Sequence, residues 1–251
     1  MINRDFLRPV KKITIPFCLI LAILYPLYYI NVFRLASEMI TVYYNLDIPE
    51  ELLTGLVSRV KLCGELLIAI GFAGFLMVTT FYFLYHAFNK RKLIGFSAFF
   101  FIIGSLLLFS SGVHLSSNAY VLIEAHREAR IIAQTDYSEA MLILRTGAYN
   151  AVGKGLELLI WGIFALIISF ILIGYFMLDN DESFYGSVGP VFCIIGLLGG
   201  IAFMNPVLVP LVPIGFLFVG IGITKIADFW LKHEMPKSRS KSFFLRRKSK
   251  S

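Results

Sequence analysis

The chain has 251 residues, 58% of them hydrophobic and 16% charged, with a formal net charge of +7 at pH 7. Soluble domains hold about 45–50% apolar and about 25% charged residues, so this composition excludes an ordinary water-soluble globule. The apolar excess is gathered into runs near or above the roughly 18 residues that a membrane-crossing helix needs. The expected fold class is all-α: a polytopic membrane helix bundle with six transmembrane helices and helical external loops. Residues 1–231 are expected to form the six-span membrane domain and residues 232–251 a basic, disordered cytoplasmic tail.

The first apolar run, 13–33, follows Arg4, Arg8, Lys11 and Lys12. It is too long for the apolar region of a secretory signal and no small-residue cleavage site follows it, so it reads as a permanent span. A loop at 34–63 comes next and contains "NLDIPEELLTGLVSRV". Asp47 is the expected cap, Pro49 suits a first helical turn beside Glu50 and Glu51, and an interfacial helix should lead into the second span, 64–86. A short basic turn, "NKRK", separates this from a third span at 93–113. That span ends in "SSGVHLSSNAY", Ser110–Tyr120. Serines and Asn118 around His114 are what a helix leaving lipid for water would carry, and also what a binding site at a membrane surface would carry.

Beyond it, "YVLIEAHREARIIAQ" should continue span three as one helix, Asp136 and Glu139 should form a capping box, and Gly147 should stop the helix that follows. The fourth span is 156–177, the fifth 188–204 and the sixth 207–230, the last two parted only by Asn205 and Pro206. The fifth is the shortest and richest in glycine, which leaves a re-entrant segment as the alternative. Gly71 and Gly74, and Gly196, Gly199 and Gly200, are expected to permit close helix packing, because small residues let backbones approach in lipid. The two halves show no internal repeat, so an inverted-repeat transporter is not indicated.

Orientation follows from lysine and arginine. With six spans, the N-terminus, the "NKRK" turn and the tail share one side and carry fifteen basic residues; the opposite loops carry seven: Arg34, Arg59, Lys61, Arg127, Arg130, Arg145 and Lys154. Both termini are therefore expected in the cytoplasm of a cell (plasma) membrane protein. The tail "LKHEMPKSRSKSFFLRRKSKS" should be drawn to anionic lipid headgroups, at roughly 1 kcal/mol per charge near the surface. No nucleic-acid partner is expected.

Charge inside lipid is costly, about 2.5–3.5 kcal/mol at a helix centre, which singles out polar groups at span ends. At the external side these are Glu65, His114, Asn118, Asn150, Lys154 and Glu157. Glu65, His114 and Glu157, rimmed by Asn118 and Lys154, could converge on an outward-facing polar pocket for a cation, a proton or a small ligand; each could equally be solvated alone at headgroup level. At the internal side Lys225 and Asp228 have the spacing of a same-face pair. Cys18, Cys63 and Cys193 make no CxxC pair, which argues against zinc or a disulfide framework, and no cofactor is expected. Two bis-histidine haems would need pairs on facing core helices, whereas His126 and His233 fall outside the spans. HExxH, GxSxG, Walker and GxGxxG motifs are missing.

The layout has a resemblance. A first span and a loop of about thirty residues lead to "FNKRKLIGF"; a helical external loop precedes "TGAYNAVGKGLELLIWGIFALIISFILIGYFML"; and the final span enters through proline in "NPVLVPLVPIGFLFVGIG". Over residues 10–231 this resembles a prokaryotic family of six-span integral membrane proteins that carries only a domain-of-unknown-function label. Members have a leucine-proline-arginine turn after span four, where this chain has the acidic "LDNDESFYGSVG". The resemblance implies the six-span layout and supplies no activity or site residues. The leading functional expectation is a non-enzymatic carrier or sensor with the outward pocket. The alternative is an accessory subunit packed through its glycines against other membrane chains or itself. An intramembrane enzyme or haem protein comes third.

Overall fold

The computed structural model describes residues 3–88, 91–180, 184–199 and 207–232, and among these the protein is all-α with no strand. After a short turn at Arg4–Phe6, helix α1 runs Leu7–Tyr44, α2 Glu50–Ala87, α3 Arg91–Asn118, α4 Val121–Ile132 and α5 Tyr137–Ala148. A π-helical segment at Tyr149–Gly153 joins α5 to α6, Lys154–Asn180, and α7, Phe184–Leu197, and α8, Leu211–Lys232, complete the order. Five helical stretches are long and apolar enough to cross a membrane: Arg4–Thr41, Glu50–Ala87, Lys92–Asn118, Tyr137–Asp179 and Leu211–Lys232.

Six spans were expected; the fifth, 188–204, runs into residues outside the described ones, and its described part lies in α7, whose 14 residues rise roughly 21 Å at 1.5 Å per residue, against a hydrocarbon core of about 30 Å. Pro190 within it also removes one ladder hydrogen bond. The expected turn at Asn205 and Pro206, Gly200, and the tail beyond Lys232 all lie outside the described residues.

The loops expected on the outer side are more helical than periodicity suggests. The expected loop at 34–63 shrinks to Asn45–Pro49, because α1 continues to Tyr44 and α2 begins at Glu50. Pro49, not Asp47, takes the N-cap position of α2, at φ −59° and ψ 141°. Asp47 instead donates its backbone N–H to the Asn45 side chain, 2.9 Å away. Span three does not continue as one helix either. The Asn118 side-chain amide donates to the His114 carbonyl at 3.0 Å. Such a side-chain bond competes with the backbone ladder, and the chain turns at Ala119–Tyr120 before α4 begins.

Asp136 does cap α5, accepting from the N–H groups of Ser138 and Glu139 at 2.8 and 3.1 Å. Gly147 does not stop the helix. It sits where α5 crosses α4, and a Cβ there would lie 2.1 Å from that of Ala125, so its smallness serves contact rather than termination.

The long helices touch in a closed circuit: α1 with α2, α2 with α3, α3 with α6, α6 with α7, α7 with α8, and α8 with α1. Glycine lets α2 and α3 meet backbone to backbone. A Cβ on Gly112 would lie 2.5 Å from the Gly64 carbonyl oxygen, and one on Gly71 2.8 Å from that of Ser105. Between α3 and α6 the hydroxyls of Ser97 and Ser169 each donate to the other's carbonyl, at 3.0 and 2.8 Å. The Ser111 hydroxyl donates to the Gly155 carbonyl at 2.6 Å. In lipid such bonds satisfy groups that have no water available.

A row of rings fills the inner part of the circuit. Tyr25 packs on Phe216, Phe216 on Phe170, Phe170 on Phe101 and Phe101 on Phe81, with centroids 5.2–6.1 Å apart. Near the start of α1, Lys11 pairs with Asp228 of α8 at 2.8 Å, which ties the two helices together.

At the opposite end α4 and α5 form a small cap with its own core of Leu46, Ala129, Ala140 and Leu144. Arg130 fastens the 45–49 loop to it. Its guanidinium donates to the Leu46 carbonyl at 2.9 Å and to the Ile48 carbonyl.

Candidate functional site

The five polar residues expected to share a pocket are divided by the structure into separate groups. His114 Nε2 faces the Asn150 carbonyl at 2.9 Å, and the Asn118 amide lies 3.1 Å from His114 Nδ1. His114 and Asn118, one turn apart on α3, therefore connect to the π segment. Glu157, on the first turns of α6, accepts from the Tyr149 hydroxyl at 2.6 Å. Glu65 and Lys154 are exposed. No hydrogen bond or ion pair joins Glu65, His114 and Glu157, and among the described residues no three His, Cys, Asp or Glu side chains gather as metal ligands.

A cavity of about 280 Å³ lies beside these groups and has a different character. One wall is α1, from Tyr28 through Val32, Leu35 and Ala36 to Met39. Cys63 of α2 and Leu115 of α3 form the back. Ala148, Tyr149, Val152, Gly153 and Leu156, around the π segment, form the facing wall. None of Glu65, His114, Asn118, Lys154 and Glu157 is among its lining residues. The expected pocket was polar; this one is bounded by hydrocarbon, a thiol and two phenol rings.

Local sequence explains the shape. The π segment widens the helix by one residue at Tyr149–Gly153, a distortion frequent at functional sites. The Tyr149 ring lies on Gly153, where a Cβ would come within 2.4 Å of it. Any larger residue at 153 would displace the ring. Tyr149 and Leu156 are 46% and 39% exposed, so the cavity opens beside them. Beyond its inner end sits Tyr25, one turn before Tyr28, at the start of the row of rings.

No family model, curated protein or solved structure matches the chain.

Tyr28 is the polar group that the sequence reading passed over. It is 1% exposed, and its hydroxyl, with those of Tyr25 and Tyr29, is buried without a hydrogen-bond partner. The available signal was "YPLYY" inside an apolar run. Three phenols in one span each carry a hydroxyl that burial normally obliges to find a partner. Pro26 between them also leaves the Ala22 carbonyl without its helical donor. A bare ion entering this cavity would lose its water and meet no counter-charge, which is prohibitive. An apolar or weakly polar molecule would lose little.

A second, smaller cavity of about 60 Å³ lies under the α4–α5 cap, lined in part by Glu50, His126, Arg127 and Arg130. His126 is 2% exposed and its Nε2 has no partner. Burial, and then the neighbouring Arg130 charge, hold this imidazole below its ordinary value of 6.5; a hydrogen bond with the Asn45 backbone and the Asp47 charge act the other way. Gly196 and Gly199, singled out for packing, face the chain's own entry to α8. Added Cβ atoms would lie 2.5 Å from Val212 and 2.2 Å from Leu208.

Proposed function

We propose that this protein is a multi-pass membrane protein that captures an apolar or amphipathic small molecule in the cavity between α1 and the π segment. The observation that carries the reading is that cavity: about 280 Å³ with no charged side chain in its wall among the described residues. Ligand sites are typically concave and mostly apolar, with a few placed polar groups. A volume of 280 Å³ lies just under the usual range of about 300–1,000 Å³, which suits a small ligand. The row of aromatic rings from Tyr25 to Phe81 favours a one-ended binding site over a through-path.

With α7 counted as the sixth crossing, the protein lies in the plasma membrane with both termini cytoplasmic, on the strength of the fifteen-to-seven basic asymmetry. The cavity then opens on the external side, and the tail lies against anionic headgroups. The six-span resemblance adds no activity to this. Gly196 and Gly199 are occupied within the chain, which weakens the accessory-subunit alternative built on them.

The test is a filled cavity. Ala36→Trp places an indole in the space, and thermal unfolding is followed in nanodiscs with a panel of alkanes, long-chain alcohols and ketones. Ligands raise the melting temperature of the native protein, since whatever binds only the folded state stabilises it, and do not raise that of the variant. A panel that leaves the native protein unmoved, with no small molecule retained in native mass spectrometry, would overturn the proposal.

A further inference from the structure

The same cavity carries information about the class of its ligand. We infer that it selects an uncharged single-chain amphiphile whose one hydrogen-bonding group, a hydroxyl or a carbonyl, is received by Tyr28 at the inner end. This inference rests on the cavity being the binding site.

Three observations bear on it. The first is the orphan hydroxyl. Tyr28 lines the cavity, is 1% exposed and has no hydrogen-bond partner for an oxygen sealed from water. A phenol both donates and accepts, so an alcohol or a ketone can pair with it. The second is charge. Apart from phenols and the Cys63 thiol, the wall holds no titratable group. A carboxylate or an ammonium would enter without a counter-ion and stripped of water, so the ligand's polar end is neutral. The third is shape. The α1 lining runs from Tyr28 to Met39, three turns or roughly 16 Å at 1.5 Å per residue, while the whole space is only about 280 Å³. Long and narrow space fits a chain rather than a fused ring system.

The polar end therefore enters first and the apolar chain follows toward Met39 and Leu156. Cys63 shares the wall, but a thiol is a weak donor and a weak acceptor, so Tyr28 is the residue that discriminates. An unpaired buried polar group is penalised more than a paired one is rewarded. The ligand that fills the hydroxyl is thus preferred over its hydrocarbon analogue by roughly tenfold.

Four matched probes test this in nanodiscs by calorimetric titration: decane, 1-decanol, 2-decanone and decanoate at mildly alkaline pH. In the native protein the alcohol and the ketone bind roughly tenfold more tightly than decane, and decanoate binds no better than decane. In Tyr28→Phe, which keeps the ring and its packing, the alcohol and the ketone bind no more tightly than decane. Equal binding of decane and decanol by the native protein would overturn the inference while leaving the cavity reading intact. So would a preference that survives Tyr28→Phe, or decanoate as the tightest probe. If no probe binds the native protein, the cavity reading fails and this inference falls with it.

Discussion

A single methyl group placed on two different glycines should have opposite effects. In Gly112→Ala the new Cβ arrives 2.5 Å from the Gly64 oxygen, 2.7 Å from the Ile68 nitrogen and 2.9 Å from Ile68 Cγ1. Two of these are backbone atoms and cannot swing aside, so α2 and α3 must separate by about 0.5–1 Å. A gap of that size forfeits roughly a quarter to a half of each dispersion well along the seam, and overpacking of this kind costs about 1–3 kcal/mol. Gly55, in the exposed opening turns of α2, has nothing within 4 Å of the same added atom. Gly55→Ala removes only the backbone freedom of glycine and stabilises by about 0.5–1 kcal/mol. Thermal unfolding of both variants in one detergent reads the difference. Gly112→Ala should melt several degrees lower, on the order of 5 °C, and Gly55→Ala slightly higher than the parent. If Gly112→Ala melts with the parent, the direct backbone approach of α2 and α3 is refuted.

Three further outcomes are expected. His126 has its folded pKa lowered from 6.5 by burial and Arg130, so the fold favours its neutral form. The stability this gives is present above about pH 6.5 and is lost as pH falls through the lower folded value. His126→Gln should therefore flatten the acid limb of the melting temperature measured between neutral pH and about pH 5, and an unchanged limb would show that other groups govern it. A double-mutant cycle on Ser97→Ala and Ser169→Ala should give a coupling of about 0.6–1.7 kcal/mol, as interhelical bonds in lipid do; zero coupling would mean the reciprocal bonds do not form. Cys18, Cys63 and Cys193 are all buried, so introduced cysteines can be labelled with little background. Thr135→Cys should react with an impermeant maleimide from outside intact cells, and Leu245→Cys only after permeabilisation; the reverse pattern would invert the proposed topology.

Hydropathy made the spans legible because the penalty for polar groups in lipid acts on composition alone. Helix ends were less legible because contacts far apart in sequence set them. Arg130 holds Leu46 and Ile48 from more than eighty residues away, and this fixes the short 45–49 loop that local periodicity drew six times longer. Gly147 reads as a stop signal in isolation and becomes a crossing point only once Ala125 is placed against it. His114, Asn118 and Glu157 were visible as polar groups at span ends. What they bond to depends on helix rotation and on the π segment, neither of which leaves a periodic mark. A cavity is an absence of atoms between α1 and a segment more than a hundred residues later, so no local pattern announces it; the tyrosines of "YPLYY" were its one trace.

The contact between α1 and α8 has a consequence for biogenesis. Cys18 packs at Gly220, Tyr25 packs on Phe216, and Lys11 meets Asp228, partners that lie far apart in the order of synthesis, on the first and the last of these helices. During translation the first helix must wait in the bilayer with that flank covered only by lipid or by the insertion machinery. The circuit closes when α8 arrives, which makes insertion of that helix the event that seals the bundle.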